Sequence, residues 1–118
     1  MDEKEKKRLE AAGIDVEDAL LRFMSDEGLM MKFLRRFPED KNFQKLKQAM
    51  EEQDTAQAYT AAHTLKGVAG NLAMTALFRQ VSAITEDLRA EDLTAARSKM
   101  EELEAQYCQV VSALTAKE

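Results

Sequence analysis

The sequence predicts an all-α protein, an antiparallel up-and-down bundle of four main helices with a short additional helix at its N-terminus. Three observations predict it. Four Gly and one Pro in 118 residues leave too few turn formers for a sandwich or barrel, which needs a turn every ~8–12 residues. Ala, Leu, Glu, Lys, Gln and Met dominate instead, and all are good helix formers. Apolar residues recur in steps of three and four along most of the chain, the period of a helix with one buried face. A chain of this length is one domain's worth, able to bury roughly two thirds of its unfolded surface. Residues 1–118 are therefore expected to form a single domain, without linker or internal repeat.

Residues 1–12 read as a peripheral, charged N-terminal helix. Only Leu9, Ala11 and Ala12 offer it an apolar edge, so it is expected to be the most weakly held element, with Gly13 just past its end. Asp15 can cap a second short helix with Val16, Ala19, Leu20 and Phe23 on one stripe. The run Ser25-Asp26-Glu27 opens a third, carrying Leu29, Met30, Phe33, Leu34 and Phe37. Pro38 must kink or interrupt it, because proline lacks the N–H and clashes one turn back. Phe43, Leu46, Ala49 and Met50 then resume the helical period.

Asp54 and Gln57 form a capping pair before an unusual segment. The chain is 33% charged, yet residues 55–78 contain one charged side chain, Lys66. The stripe here is Ala58, Ala61, Ala62, Leu65, Val68, Ala69 and Leu72. Small residues let neighbours pack close, which places this helix at the centre of the bundle. Leu77, Val81, Ile84 and Leu88 define the next helix. Asp92 caps a last one with the stripe Leu93, Ala96, Met100, Leu103, Tyr107, Val110 and Leu114. A coiled-coil dimer would fit that final stripe alone; the apolar stripes of its neighbours favour a place in a monomeric bundle. Tyr107 and the methionines Met24, Met30, Met31, Met50, Met74 and Met100 read as core filling, and Cys108 as a packed small residue.

Charge and composition exclude several function classes. Seventeen Lys and Arg against twenty-two Asp and Glu give a net charge of −5, and the basic cluster at residues 4–8 is offset by Asp2, Glu3, Glu5 and Glu10. Nucleic acid is not an expected partner. No stretch without Asp, Glu, Lys or Arg is longer than the 12 residues of 67–78, short of the ~20 needed to span a bilayer. No signal peptide is visible and one Cys cannot close an internal disulfide, so a reducing cytoplasm is expected. One Cys and one His do not make a conventional zinc site; neither a metal nor a cofactor is expected. No phosphate-binding glycine loop or paired carboxylates for Mg²⁺ point to nucleotide chemistry.

One residue stands out. His63 is the single histidine, and at ~100° per residue Leu65 and Leu72 lie ~200° and ~180° from it, so it faces away from the core stripe. Gly67 and Gly70 follow on its own face, one and two turns on. Mid-helix glycines cost roughly 1 kcal/mol each relative to Ala. Away from the core, that cost is explained if another surface must come close to His63. Lys66, at i+3, is within reach of an anion attached to the ring. A free imidazole has a pKa of ~6.5 and is a competent nucleophile near neutral pH. A phosphoryl group on it would add about two negative charges and three acceptor oxygens, part of which a lysine one turn away would balance.

The stretch His63-Thr64-Leu65-Lys66-Gly67-Val68-Ala69-Gly70-Asn71-Leu72 resembles the signature of histidine-containing phosphotransfer (HPt) domains, the relay modules of multistep two-component signalling. The resemblance extends upstream through Gly13-Ile14-Asp15, Ala19-Leu20, Arg22-Phe23 and Asp54, and downstream through residues 88–93. It implies that His63 is the phospho-acceptor and that Lys66 stabilises the phosphoryl group. It implies a docking surface of Gly67, Gly70, Asn71, Thr60, Tyr59 and Arg89, with Arg89 or Thr85 supplying a polar group from the next helix. It implies receiver domains of response regulators or hybrid histidine kinases as partners, which would bring the Mg²⁺. The chain would then be a phosphoryl carrier without kinase or ATPase activity of its own. At two positions the sequence departs from the family: Ala73 and Glu91 stand where Gly is usual. A dimerisation domain of a sensor kinase fits less well, because Thr64 follows the histidine in place of an acidic residue. The alternative from another class is a helical adaptor in which His63 is incidental.

Overall fold

A computed structural model describes residues 1–116; the last two positions of the expected 1–118 domain lie outside the described residues. Helices α1 (Glu3–Ala11), α2 (Val16–Arg22) and α3 (Glu27–Arg36) lead to a short 3-10 turn at Phe37–Glu39. They are followed by α4 (Asn42–Glu51), α5 (Thr55–Asn71), α6 (Thr75–Arg89), α7 (Leu93–Ser98) and α8 (Met100–Thr115). No strand occurs among the described residues, and the fold is a helical bundle. Helix α5 packs most extensively on α4 and α6, and α6 in turn packs on α7 and α8. Its small-residue stripe explains that position: Ala58, Ala62, Leu65 and Ala69 are completely buried, and alanines let both neighbours approach.

The helix ends follow one local rule. Asp15, Asp26, Asp54 and Asp92 each accept a hydrogen bond from the backbone N–H three residues on, at 3.0, 3.0, 3.1 and 3.0 Å, satisfying an orphan donor of the first turn. Before each cap the preceding helix is closed by a left-handed residue. At Gly13 (φ +88°) the Ile14 N–H reaches back to the Leu9 carbonyl at 3.1 Å and the Gly13 N–H to Glu10 at 3.0 Å, the paired bonds of a Schellman turn. Ala73 and Glu91 take the same conformation, φ +53° and +58°, and close their turns through Met74 N–H to the Ala69 carbonyl (2.9 Å) and Asp92 N–H to Asp87 (2.8 Å). The two departures from the family pattern thus fall where glycine would be unstrained. An L-residue there costs about 1–2 kcal/mol, and both turns form nonetheless.

Pro38 interrupts the third segment as its chemistry requires. Helix α3 stops at Arg36, the proline sits at the start of the 3-10 turn, and α4 begins at Asn42. The N-terminal helix is better anchored than its composition suggests. Leu9 is 1% exposed and Ala12 6%, and Gln106 of α8 donates to the Ala12 carbonyl at 2.7 Å. Asp15 N–H bonds the Ala73 carbonyl at 2.8 Å. A Cβ on Gly13 would stand 2.8 Å from that of Ala76. The first turn of the chain is therefore clamped onto the start of α6.

Four expectations need correction. The last helix is not continuous: Lys99 separates α7 from α8. The Ser98 hydroxyl donates to the Ala95 carbonyl at 2.6 Å and Lys99 N–H bonds Ala96, three residues back, so side-chain and tightened backbone bonds replace the regular ladder. The Lys99 ammonium is ion-paired with Asp87 of α6, and the apolar stripe resumes inward with Leu103 and Val110. Leu29 and Phe33 are each 41% exposed, because the buried arc of α3 is centred on Met30, Met31, Leu34 and Phe37 and leaves them at its edge. Met24 does not fill the core; it is 91% exposed in a left-handed turn (φ +54°) that projects it outward. Cys108 is exposed, since one step off the stripe rotates it by ~100° out of the packed face. Tyr107 does enter the core edge, stacked on Phe43 (4.3 Å between centroids, 15°) with Phe37 at 5.7 Å, and its burial pushes the phenol pKa up.

Candidate functional site

Helix α5 is the platform. Its 17 residues begin at the Asp54 cap and run inside the bundle with one face buried. His63, at mid-helix, is exposed, as its angular position requires. Helical side chains lean toward the N-terminus, which sets the imidazole over the residue four positions earlier. That residue is Tyr59: the two rings are stacked at 5.8 Å between centroids and 13° between planes. The guanidinium of Arg89, at the end of α6, lies 5.4 Å from the centre of the Tyr59 ring and 3.3 Å from the Glu86 carboxylate. Tyr59 itself is half-buried against the core.

The other expected residues divide. Lys66 is half-buried on the same helix one turn beyond His63 and forms no ion pair among the described residues, leaving its ammonium available to an anion. Gly67 opens onto empty space: a Cβ there would meet nothing within 4 Å. Gly70 does not. A Cβ on it would lie 3.2 and 3.3 Å from the ring of Phe78, so this glycine accommodates packing within the chain, where the approach of another surface to His63 was expected to explain it. Thr60 and Thr64 are exposed but direct their hydroxyls to their own helix, onto the Ala56 carbonyl (3.1 Å) and the Thr60 carbonyl (2.9 Å). Asn71 is exposed at the C-terminal end of α5, roughly 12 Å along the axis from His63. It borders a shallow depression with Phe33, Arg36 and Val68.

Thr85 is overturned as a polar group for the site. It is fully buried and donates to the Val81 carbonyl at 2.7 Å, because at i+4 it lies only ~40° around the helix from the buried Val81 on the packed face of α6. Arg89, four residues on and at the helix end, emerges where Thr85 cannot. Sequence reasoning missed Phe78 and Glu86. Phe78 is 38% exposed, and nothing in its spacing pairs it with Gly70; that pairing is made only when α6 folds back on α5. No group of three His, Cys, Asp or Glu side chains among the described residues could hold a metal ion. No helix among them is long and apolar enough to cross a membrane.

An all-α bundle with one exposed imidazole midway along an inner helix is the arrangement that the HPt resemblance implies. A family model described as Hpt domain matches residues 29–113, most of the chain. The chain belongs to this family, whose domains carry histidine phosphotransfer in phosphorelay signalling. The match begins within α3, so the similarity noted from Gly13 to Phe23 lies outside it. Comparison with curated proteins and with solved structures finds no match.

Proposed function

We propose that His63 is the phospho-acceptor of a phosphorelay intermediate, taking a phosphoryl group from the aspartyl phosphate of one receiver domain and giving it to the aspartate of another. The observation that carries this reading is the pairing of an exposed His63 with an unpaired, half-buried Lys66 and an unobstructed Gly67 on one face of α5. A ring nitrogen of neutral His63 attacks phosphorus in line. The N–P bond forms as the acyl O–P bond breaks, the carboxylate leaves with the electron pair, and the ring then sheds a proton to water. Donation to the second receiver reverses these steps.

Lys66 balances charge on the phosphorylated ring, and Arg89 can add to this from α6. Gly67 allows the receiver to come close, and the exposed Thr60 and Asn71 extend the docking surface around it. The chain binds no cofactor in this reading, and the receiver supplies Mg²⁺ and its own charge-stabilising groups. It acts as a monomeric carrier, residues 1–118 forming one HPt-type domain in the cytoplasm, without kinase or ATPase activity.

The test uses His63→Gln and a receiver phosphorylated on aspartate. The variant is expected to accept no label while unfolding within about 0.5 kcal/mol of the wild type, as suits an exposed position. ATP alone is expected to label neither protein. Label on the Gln variant, or on the wild type with ATP and no partner, overturns the assignment. An adaptor bundle would show no labelling from any receiver.

A further inference from the structure

We propose that Tyr59 is a positioning residue for His63, one that sets the plane of the imidazole for attack. This rests on His63 carrying the phosphoryl group, and it gives Tyr59 a role inside the chain in place of one in docking. An exposed histidine on a helix is free to turn. Its χ1 has two accessible wells and its χ2 is broad and two-fold. In-line transfer needs the nitrogen lone pair aimed at phosphorus, and small misplacements of a reacting atom are expensive in rate.

The stack on Tyr59, 5.8 Å and 13°, lies in the range where aromatic pairs attract. It selects one ring plane from that two-fold set. Tyr59 can act as a reference because it is itself held. Its ring is half-buried against the core, and the Arg89 guanidinium sits 5.4 Å from its centre, tied in turn to Glu86 at 3.3 Å. The line Glu86–Arg89–Tyr59–His63 thus runs from α6 to the nucleophile. Threonine hydroxyls do not compete for the ring, since those of Thr60 and Thr64 are occupied by their own helix. A tyrosine serving only as a docking contact would have no need to lie parallel to the imidazole.

The experiment separates orientation from docking by using two donors. Phosphoramidate is a small donor that needs no docking surface: its P–N bond breaks, ammonia leaves, and a bond from the His63 nitrogen to phosphorus forms. Tyr59→Leu keeps an apolar side chain but removes the flat ring, and Tyr59→Phe keeps the ring. The wild-type His63 side chain, followed by NMR couplings, is expected to hold one rotamer that the Leu variant loses. Labelling of Tyr59→Leu is expected to fall roughly tenfold with phosphoramidate and with a phosphorylated receiver alike, and Tyr59→Phe is expected to recover most of both.

If Tyr59→Leu slows only the receiver reaction, Tyr59 is a docking contact and the proposal is overturned. A wild-type imidazole that averages over rotamers overturns it as well. If phosphoramidate labels His63 with the expected order of variants but no receiver does, the receiver reading fails and the positioning role stands. A wild type labelled by neither donor removes both.

Discussion

On one side of α5, Ala58, Ala62, Leu65 and Ala69 are shut off from solvent completely; on the other, His63, Thr64 and Gly67 stand in it. Both faces are free of acidic residues and both are rich in small ones, yet small size serves opposite ends. On the buried face it lets α4 and α6 close against α5. On the exposed face it keeps space empty around an imidazole. Gly67 and Gly70 show that the division is sharper than helical angle alone suggests. They are three residues apart on the same face, but one opens onto nothing and the other lies under Phe78. The usable surface around His63 therefore ends between them on the α6 side.

The largest effect expected from testing this contrast is on the buried face. Leu65→Ala removes a fully buried side chain between two helices and is expected to destabilise the fold by about 2–5 kcal/mol, read from the midpoint of denaturant unfolding. A loss below about 1 kcal/mol would mean the centre of the bundle is loosely packed and would break the comparison. Next comes Gly67→Gln on the open face. It is expected to leave the unfolding midpoint equal or higher, since Gln is the better helix former, while receiver-to-His63 transfer falls roughly tenfold or more through blocked approach. Transfer at the wild-type rate would show that no partner uses this surface.

The smallest effect sharpens the boundary. Gly67→Ala is expected to stabilise by up to about 1 kcal/mol. Gly70→Ala is expected to gain only part of that, because its methyl must displace the Phe78 ring by a few tenths of an ångström. Equal gains at the two positions, measured in the same unfolding experiment, would show that Phe78 turns aside freely and that the open surface includes Gly70.

Much of this was legible before any fold. Local rules suffice for an aspartate cap, for a proline that stops a helix, and for the angle between His63 and Leu65, because each involves only a few bonds along one backbone. Those rules place His63 on the outside and Lys66 and Gly67 beside it. They fail where the deciding neighbour is distant in sequence. Leu29 and Phe33 satisfy the helical period yet lie at the edge of the buried arc; Phe33 stacks on Phe23 at the end of α2 (5.5 Å between centroids), and both stay partly in solvent. Thr85 and Arg89 are one turn apart and both were candidates; burial between helices removes the first, and the helix end frees the second. The break at Lys99 is an intermediate case, with a local hydroxyl–carbonyl bond at Ser98 and an ion pair to Asp87 twelve residues away.

By itself the sequence determined that this protein is helical, which face of each strongly patterned helix turns inward, and that a lone histidine faces outward on a helix nearly free of charge. These follow from backbone periodicity and turn chemistry, which act over four or five residues. Tertiary structure alone decided that Phe78 covers Gly70 and that Arg89 comes over Tyr59. It also decided that the turn after the first helix is clamped to the start of α6. Each of these depends on where two helices cross, and that is set by the volumes of side chains packed between them and not by the order of residues along either one.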